Sequence, residues 1–232
     1  MTKYRIASVE TVGDDIRIFR MEPVQGEMLA FTAGHFVFLH VLDESGGTVV
    51  KRPYSIASEP DVPYLEFCIK LIGGELTGRL EKMGEGSVVG IEGPFGNFTY
   101  DDQPNAAFIA GGVGIAPFIS ILRHVTRKKL KGRFMLFYSS RRRDTIVYRE
   151  ELARLEKENP SIKVAITLTR EEPAGWKGEC GRIDEEMVDK YAANPTDFDW
   201  WLCGPMAMIR AMKDCLVKKG LDPKRIKIEG WG

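Results

Sequence analysis

Three stretches of the chain combine residue types and spacing suited to holding large anionic ligands. The first is Arg52-Pro53-Tyr54-Ser55-Ile56-Ala57-Ser58, which places a guanidinium, an aromatic ring and a hydroxyl within four residues. A guanidinium fork matches the oxygens of a phosphate, a ring offers a face to a flat ligand, and a hydroxyl can mediate at a redox atom. By periodicity alone the same run is an ordinary strand with an exposed arginine. The second is Gly111-Gly112-Val113-Gly114-Ile115-Ala116-Pro117, which follows an apolar run and opens a helical pattern. At such a turn, backbone N–H groups and the helix dipole can hold a pyrophosphate, and Gly112 and Gly114 allow phosphate close to the chain. The spacing is G-x-G-x-x-P, with Pro117 where a third glycine is usual. Proline in the first helical turn loses no hydrogen bond and presets φ for helix entry. A tight turn with no ligand could carry the same residues. The third is Cys203-Gly204-Pro205-Met206, where a thiol closes one apolar run before the next helical pattern. By residue type, a buried cysteine is first a packing group.

Coenzyme choice has its own candidate residues. The apolar run 134–138 ends in Ser139-Ser140-Arg141-Arg142-Arg143. NAD-selective dinucleotide folds place an acid near the end of the second strand to bond the ribose hydroxyls, whereas arginine suits a 2′-phosphate. Three arginines beside two hydroxyls can serve a phosphate dianion or form a solvated loop, and on the first reading NADP(H) is favoured over NAD(H). No metal site is expected. The four cysteines, at 68, 180, 203 and 215, form no C-x-x-C pair, as zinc or an iron–sulfur cluster would want. His35, His40 and His124 carry no motif and read as structural.

The elements that must position these groups fall into two rhythms. Through residue 100 the chain reads as six short strands, at 4–9, 16–21, 36–41, 49–56, 64–70 and 87–91, with one helical turn at 77–82. Closely spaced strands broken by Gly13-Asp14-Asp15 and Ser45-Gly46-Gly47 predict a small antiparallel barrel. After Asp101-Asp102-Gln103-Pro104-Asn105, apolar runs at 107–110, 134–138, 164–168, 199–203 and 226–228 alternate with helical patterns at 117–128, 146–157, 184–192 and 206–219. That alternation predicts a parallel sheet covered on both faces. The expected fold is therefore a two-domain α/β protein: an N-terminal antiparallel six-stranded β-barrel over 1–101 and a C-terminal Rossmann-like parallel α/β domain over 102–232.

Composition removes other classes. With 232 residues, 44% hydrophobic, and 33 basic residues against 33 acidic, the chain can bury a core or two and has no net field for nucleic acid or an anionic membrane. The uncharged stretch 103–122 is interrupted by Gly111, Gly112, Gly114 and Pro117, and a membrane helix needs about 20 predominantly apolar residues. No apolar leader follows Met1, and the sparse cysteines suit a reducing cytoplasm.

Arg52-Pro53-Tyr54-Ser55-Ile56-Ala57-Ser58, then Gly112-Val113-Gly114-Ile115-Ala116-Pro117, then Cys203-Gly204-Pro205-Met206, in that order, resemble the motifs of the ferredoxin-NADP reductase family over nearly the whole chain. The resemblance implies a barrel that binds FAD and a second domain that binds NADP(H) or NAD(H). It implies that Arg52 pairs with the FAD pyrophosphate, that Pro53 and Tyr54 line the flavin, and that Ser55 reaches its N5. Gly73-Gly74-Glu75-Leu76-Thr77 resembles the family's second flavin motif, with Gly74, Leu76 and Thr77 at the pyrophosphate; Thr77 is also a plain helix-cap candidate. Gly93-Pro94-Phe95-Gly96-Asn97-Phe98 resembles the segment joining the domains, and its glycines also suit a plain turn. Arg141 with Tyr148, and Arg170 after Thr169, match the nucleotide side, where Ser140, Arg141 and Arg170 would meet phosphate. Cys203 would stand beside the nicotinamide C4, with Gly204, Pro205 and Met206 around it. Trp231 would cover the flavin and yield to nicotinamide, as a terminal aromatic does in some relatives, or simply pack.

The implied activity is hydride transfer between NAD(P)H and FAD, with single electrons exchanged with a separate carrier protein such as ferredoxin. Alternatives from the same module are an electron-transfer subunit of a larger oxidoreductase and an NAD(P)H:flavin reductase. A nucleotide-sensing module without turnover is a third.

Overall fold

The structure, a computed structural model, describes residues 1–231. The first half forms β1 (Thr2–Val12), β2 (Ile16–Pro23), β3 (Phe36–Leu42), β4 (Thr48–Ser55), β5 (Leu65–Lys70), α1 (Glu75–Leu80) and β6 (Val88–Phe95). The strands make one antiparallel sheet in the order β4-β3-β6-β1-β2-β5. Alternation is clean in β1, where Tyr4 and Ile6 are buried while Lys3 and Arg5 are exposed, as a half-buried strand requires. Ala57, just past β4, donates its N–H to the Glu66 carbonyl of β5 at 2.8 Å. That bond brings the two edge strands together and makes the sheet barrel-like. Phe19, Met21, Val37, Leu39, Phe67 and Ile69 fill it, and Leu76 and Leu80 of α1 join the same core.

The second half alternates as expected: β7 (Asn105–Gly111), α2 (Ala116–Arg127), β8 (Arg133–Ser140), α3 (Arg149–Glu158), β9 (Ile162–Leu168), β10 (Glu179–Cys180), α4 (Glu185–Tyr191), β11 (Asp199–Pro205), α5 (Met206–Lys218) and β12 (Ile226–Trp231). All strand pairs are parallel, in the order β10-β9-β8-β7-β11-β12. Burial on both faces explains the unbroken apolar spelling of β7. Ala106, Phe108 and Ala110 pack with α2 and α3, whereas Ala107 and Ile109 pack with α5. The chain leaves β7 towards β8 on one side and later returns to its other side with β11. The ends of β7 and β11 therefore flank the crevice where open α/β sheets bind ligands.

Two elements depart from expectation. The two-residue β10 carries no periodicity and was not foreseen. The helix expected over 146–157 starts only at Arg149, because Tyr148 sits at φ +58° and Ile146 and Val147 turn into the core first. Among the described residues, no helix is long and apolar enough to cross a membrane.

Candidate active site at the domain junction

The barrel and the parallel sheet meet at the end of β4. Ser55 Oγ donates to Glu229 Oε2 across the junction at 3.1 Å. Glu229 lies on β12, in register with Cys203 on β11, so hydroxyl, carboxyl and thiol converge from two sheets. Cys203 is 0% exposed. Burial, and then the nearby Glu229, push its thiol well above the ordinary range. Burial also raises the Glu229 carboxyl, with the Ser55 hydrogen bond pulling the other way. Glu229 was not foreseen: a lone glutamate in a late strand carries no local signal, and only the parallel pairing of β11 with β12 brings it to Ser55.

The glycine turn packs directly beneath β11. A Cβ on Gly114 would collide with the Cys203 carbonyl oxygen and stand 2.9 Å from the Trp231 ring, whereas Gly112, at φ +55°, has open space beside it. Pro117 occupies the first turn of α2, as its spacing predicts. From this turn a cavity of about 500 Å³ opens between Gly111–Val113, Ser139–Arg141, Thr169–Arg170 and Pro205, with Trp231 at its rim. Trp231 thus lies on the dinucleotide side, 43% exposed. Gly114, Pro117, Cys203, Gly204 and Met206 lie close to the lining residues in sequence without lining the cavity themselves, and Cys203 is fully buried.

The cavity wall carries Lys70, Arg141, Arg170 and Arg182 and, among the described residues, no carboxylate. Arg182 was missed in the sequence because it follows β10, the strand that periodicity does not show. The arginine run divides. Arg141 faces the cavity, but Arg142 turns away, gripping Asp144 at 2.9 and 2.7 Å and reaching Asp14 of the barrel at 3.1 Å. Arg142 is therefore part of a domain bridge and not a helper of Arg141. Ser140 is buried, its Oγ sharing a 3.0 Å hydrogen bond with Thr145, so it shapes the turn as well as the wall. Tyr148 matches the family's spacing but lies outside the cavity, its ring under the Arg123 guanidinium at 5.1 Å.

On the barrel side, Arg52 and Tyr54 share one face of β4, paired with Leu39 and Val37, while Pro53 and Ser55 share the other with Phe38 and Phe36. Tyr54 packs on the core that α1 joins, and its burial pushes the hydroxyl up to about 12. Arg52 is exposed; its Nη1 donates to the Lys51 carbonyl at 2.8 Å. Thr77 Oγ1 accepts from the Gly74 N–H at 3.0 Å, so Thr77 acts as a helix cap in its own turn. The next first-turn N–H groups of α1, at Glu75 and Leu76, have no intrahelical acceptor. Gly73, at φ +69°, has open space beside it. An arginine with no carboxylate partner among the described residues, a half-buried ring and an unobstructed glycine turn suit a flat group bearing a pyrophosphate, so these residues fit FAD.

Comparison with known proteins agrees with this geometry. Residues 3–100 match the model of the oxidoreductase FAD-binding domain, and residues 108–214 that of the oxidoreductase NAD-binding domain. The chain is 32% identical over 237 residues to ferredoxin–NADP reductase B of Sorangium cellulosum, covering 98% of this chain and 96% of that protein. It is 28% identical over 233 residues to NADH-cytochrome b5 reductase 1 of Dictyostelium discoideum, covering 97% and 80%. A solved ferredoxin NADP+ reductase of Neisseria gonorrhoeae, with bound FAD and NADP, shares the fold, with a TM-score of 0.85 and 22% identity over 99% of this chain and 96% of that one. Fold, site and matches define an FAD-dependent, NAD(P)-binding oxidoreductase. Within that class the chain belongs to the ferredoxin-NADP reductase family.

Proposed function

We propose that the protein moves a hydride from NAD(P)H, with NADPH preferred, to FAD, and passes single electrons to a separate carrier protein such as ferredoxin. The observation that carries this reading is the meeting of Ser55, Glu229 and Cys203 at the junction, because it joins the flavin motif to the strand that ends at the dinucleotide crevice. When bound, FAD supplies the two-electron and one-electron chemistry. The chain supplies binding, alignment and exclusion of water. In this reading residues 1–101 hold the flavin: Arg52 and the first turn of α1 take its pyrophosphate, with Gly74 and Thr77 shaping that turn. Tyr54 gives it a face beside Pro53. Residues 102–232 hold the dinucleotide, with its pyrophosphate at Gly112, Gly114 and the α2 turn that Pro117 sets. Arg141 and Arg170 take a 2′-phosphate against Ser140. Gly204, Pro205 and Met206 form the turn beyond the thiol, and Trp231 closes the rim.

At the reacting end, the Cys203 thiol stays protonated and packs as a neutral wall against nicotinamide. The Ser55 hydroxyl, oriented by Glu229, can hold or release a proton towards the flavin edge. Hydride transfer needs alignment more than proton abstraction, and holding two reactants in register is a large part of such catalysis. The four cysteines are free thiols, which suits a reducing cytoplasm. The test is anaerobic stopped-flow mixing of the FAD-loaded protein with NADPH or NADH, then reoxidation by candidate ferredoxins. Rapid bleaching, faster with NADPH, followed by reoxidation by a ferredoxin is expected. Bleaching by neither coenzyme would sink the proposal.

A further inference from the structure

Ser55 and the dinucleotide turn belong to different sheets, yet one helix touches the neighbourhood of both. α2 leaves the Gly112–Pro117 turn, and within its next two turns Ser120 and Arg123 reach the segment that follows Ser55. Ser120 Oγ donates to the Ser58 carbonyl at 2.6 Å. Arg123 Nη1 donates to the Ala57 carbonyl and to Glu66 Oε1, each at 2.8 Å. Its Nε and Nη2 grip Glu151 of α3 at 2.9 and 2.7 Å. Glu66, on β5, is 0% exposed and binds Arg20 at 2.8 Å through its other oxygen. The Ser58 hydroxyl accepts the Glu66 N–H at 3.1 Å, so the anchor points themselves are tied together.

Stability is a poor explanation for this cluster. Withdrawing two carboxylates and a guanidinium from water costs about what their pairing returns, and apolar replacements of buried pairs are often neutral or stabilising. Forked guanidinium bonds do, however, fix direction as well as distance. The fixed points, Ala57 and Ser58, lie two and three residues past Ser55, and the helix that holds them begins at the dinucleotide turn.

We propose that Arg123, together with Ser120 and Glu66, positions the two halves of the site for hydride transfer, with α2 acting as the spacer between the dinucleotide turn and the Ser55 segment. This rests on the reading that hydride passes from NAD(P)H to FAD at that junction.

The full-length, FAD-loaded protein tests it through Ser120→Ala, Glu66→Gln and Arg123→Lys. Arg133→Ala is the control, breaking a surface pair with Asp197. The measurements are the limiting rate of flavin bleaching at saturating NADPH, the half-saturating concentration, the long-wavelength flavin–nicotinamide charge-transfer absorbance, and Tm. A misplacement of about 1 Å can cost roughly 100-fold in rate, so the limiting rate should fall about tenfold in Ser120→Ala and towards 100-fold in Glu66→Gln. Half-saturation should stay within about twofold, the signature of lost alignment and not lost binding. The charge-transfer absorbance should weaken, Arg123→Lys should lower the limiting rate too, because it keeps the charge but loses the fork, and the control should match wild type. Two results would overturn the proposal: folded, FAD-bound Ser120→Ala and Glu66→Gln variants bleaching at the wild-type limiting rate, or all three variants losing FAD or unfolding, which would make the cluster a stability element. Wild-type protein that neither coenzyme bleaches would instead remove the underlying hydride reading, before any variant is compared.

Discussion

Cys203 is a thiol that its surroundings hold in the neutral form, so its contribution is shape. Cys203→Ala should slow flavin reduction by about 10- to 100-fold through poorer alignment while FAD stays bound. Stopped-flow rates with retained flavin absorbance check this, and loss of flavin would make the thiol a packing residue. Glu229 gives a pH signature. Burial raises its carboxyl above 4.5, so the folded state holds a proton that the unfolded state releases as pH rises through that window. Folding is therefore favoured at the acid end of the window and loses that contribution towards neutral pH. Glu229→Gln should raise Tm at pH 7 to 8 relative to wild type, with the gain vanishing near pH 4.5, as melting curves across that range would show. Arg141 bears on coenzyme choice. Only NADPH carries the 2′-phosphate, so Arg141→Ala should raise its KM by about tenfold, roughly 1.4 kcal/mol, and spare the NADH value. Equal losses for both coenzymes would place Arg141 on a part that they share, and no loss for either would mark it as a solvated surface residue.

Legibility in the sequence differed from element to element. The long runs of β7 and β8 and the helical pattern of α2 were readable because both faces of a strand, or one stripe of a helix, must be apolar to be buried. β10 was not, since two residues have no period, and Arg182 was lost with it. Tyr148 shows the opposite limit: its spacing matched a motif, but a left-handed turn directs the ring under Arg123. Arg142 could not be separated from Arg141 by composition, because what divides them is a two-pronged grip on Asp144 and a reach to Asp14, more than a hundred residues away. Glu229 needed the register of β11 with β12. The glycine turn was legible in type, and the structure adds why position 114 tolerates nothing larger. Gly114→Ala would press a methyl group against the backbone of β11, and overpacking of this kind typically costs about 1 to 3 kcal/mol. A lowered Tm with a raised KM for both coenzymes is expected, and a variant with wild-type values would show that the turn can move.

At the scale of the molecule, the two halves share an apolar cluster, in which Ile16, Ile18 and Cys68 of the barrel are buried together with Phe118, Ile119 and Tyr138 of the second half, and they are further joined by polar contacts: Arg142 with Asp14, Arg127 with Glu59 and Asp61, and Lys227 with the Thr99 carbonyl. Contacts of this kind specify a relative orientation more than they add stability. The barrel's strand partners all lie within the first hundred residues, while the face formed by Ile16, Ile18 and Cys68 is covered only by the second half.

The Ser55–Glu229 hydrogen bond joins residues 174 positions apart, and this sets an order of events during folding. Contacts between distant residues form late because they close the largest loops. The strand pairs of the first half close shorter loops than this bond does, so they form before it. Refolding of the denatured protein should show the same sequence in time, with FAD fluorescence quenched first and NADPH-dependent bleaching recovered only after a measurable lag.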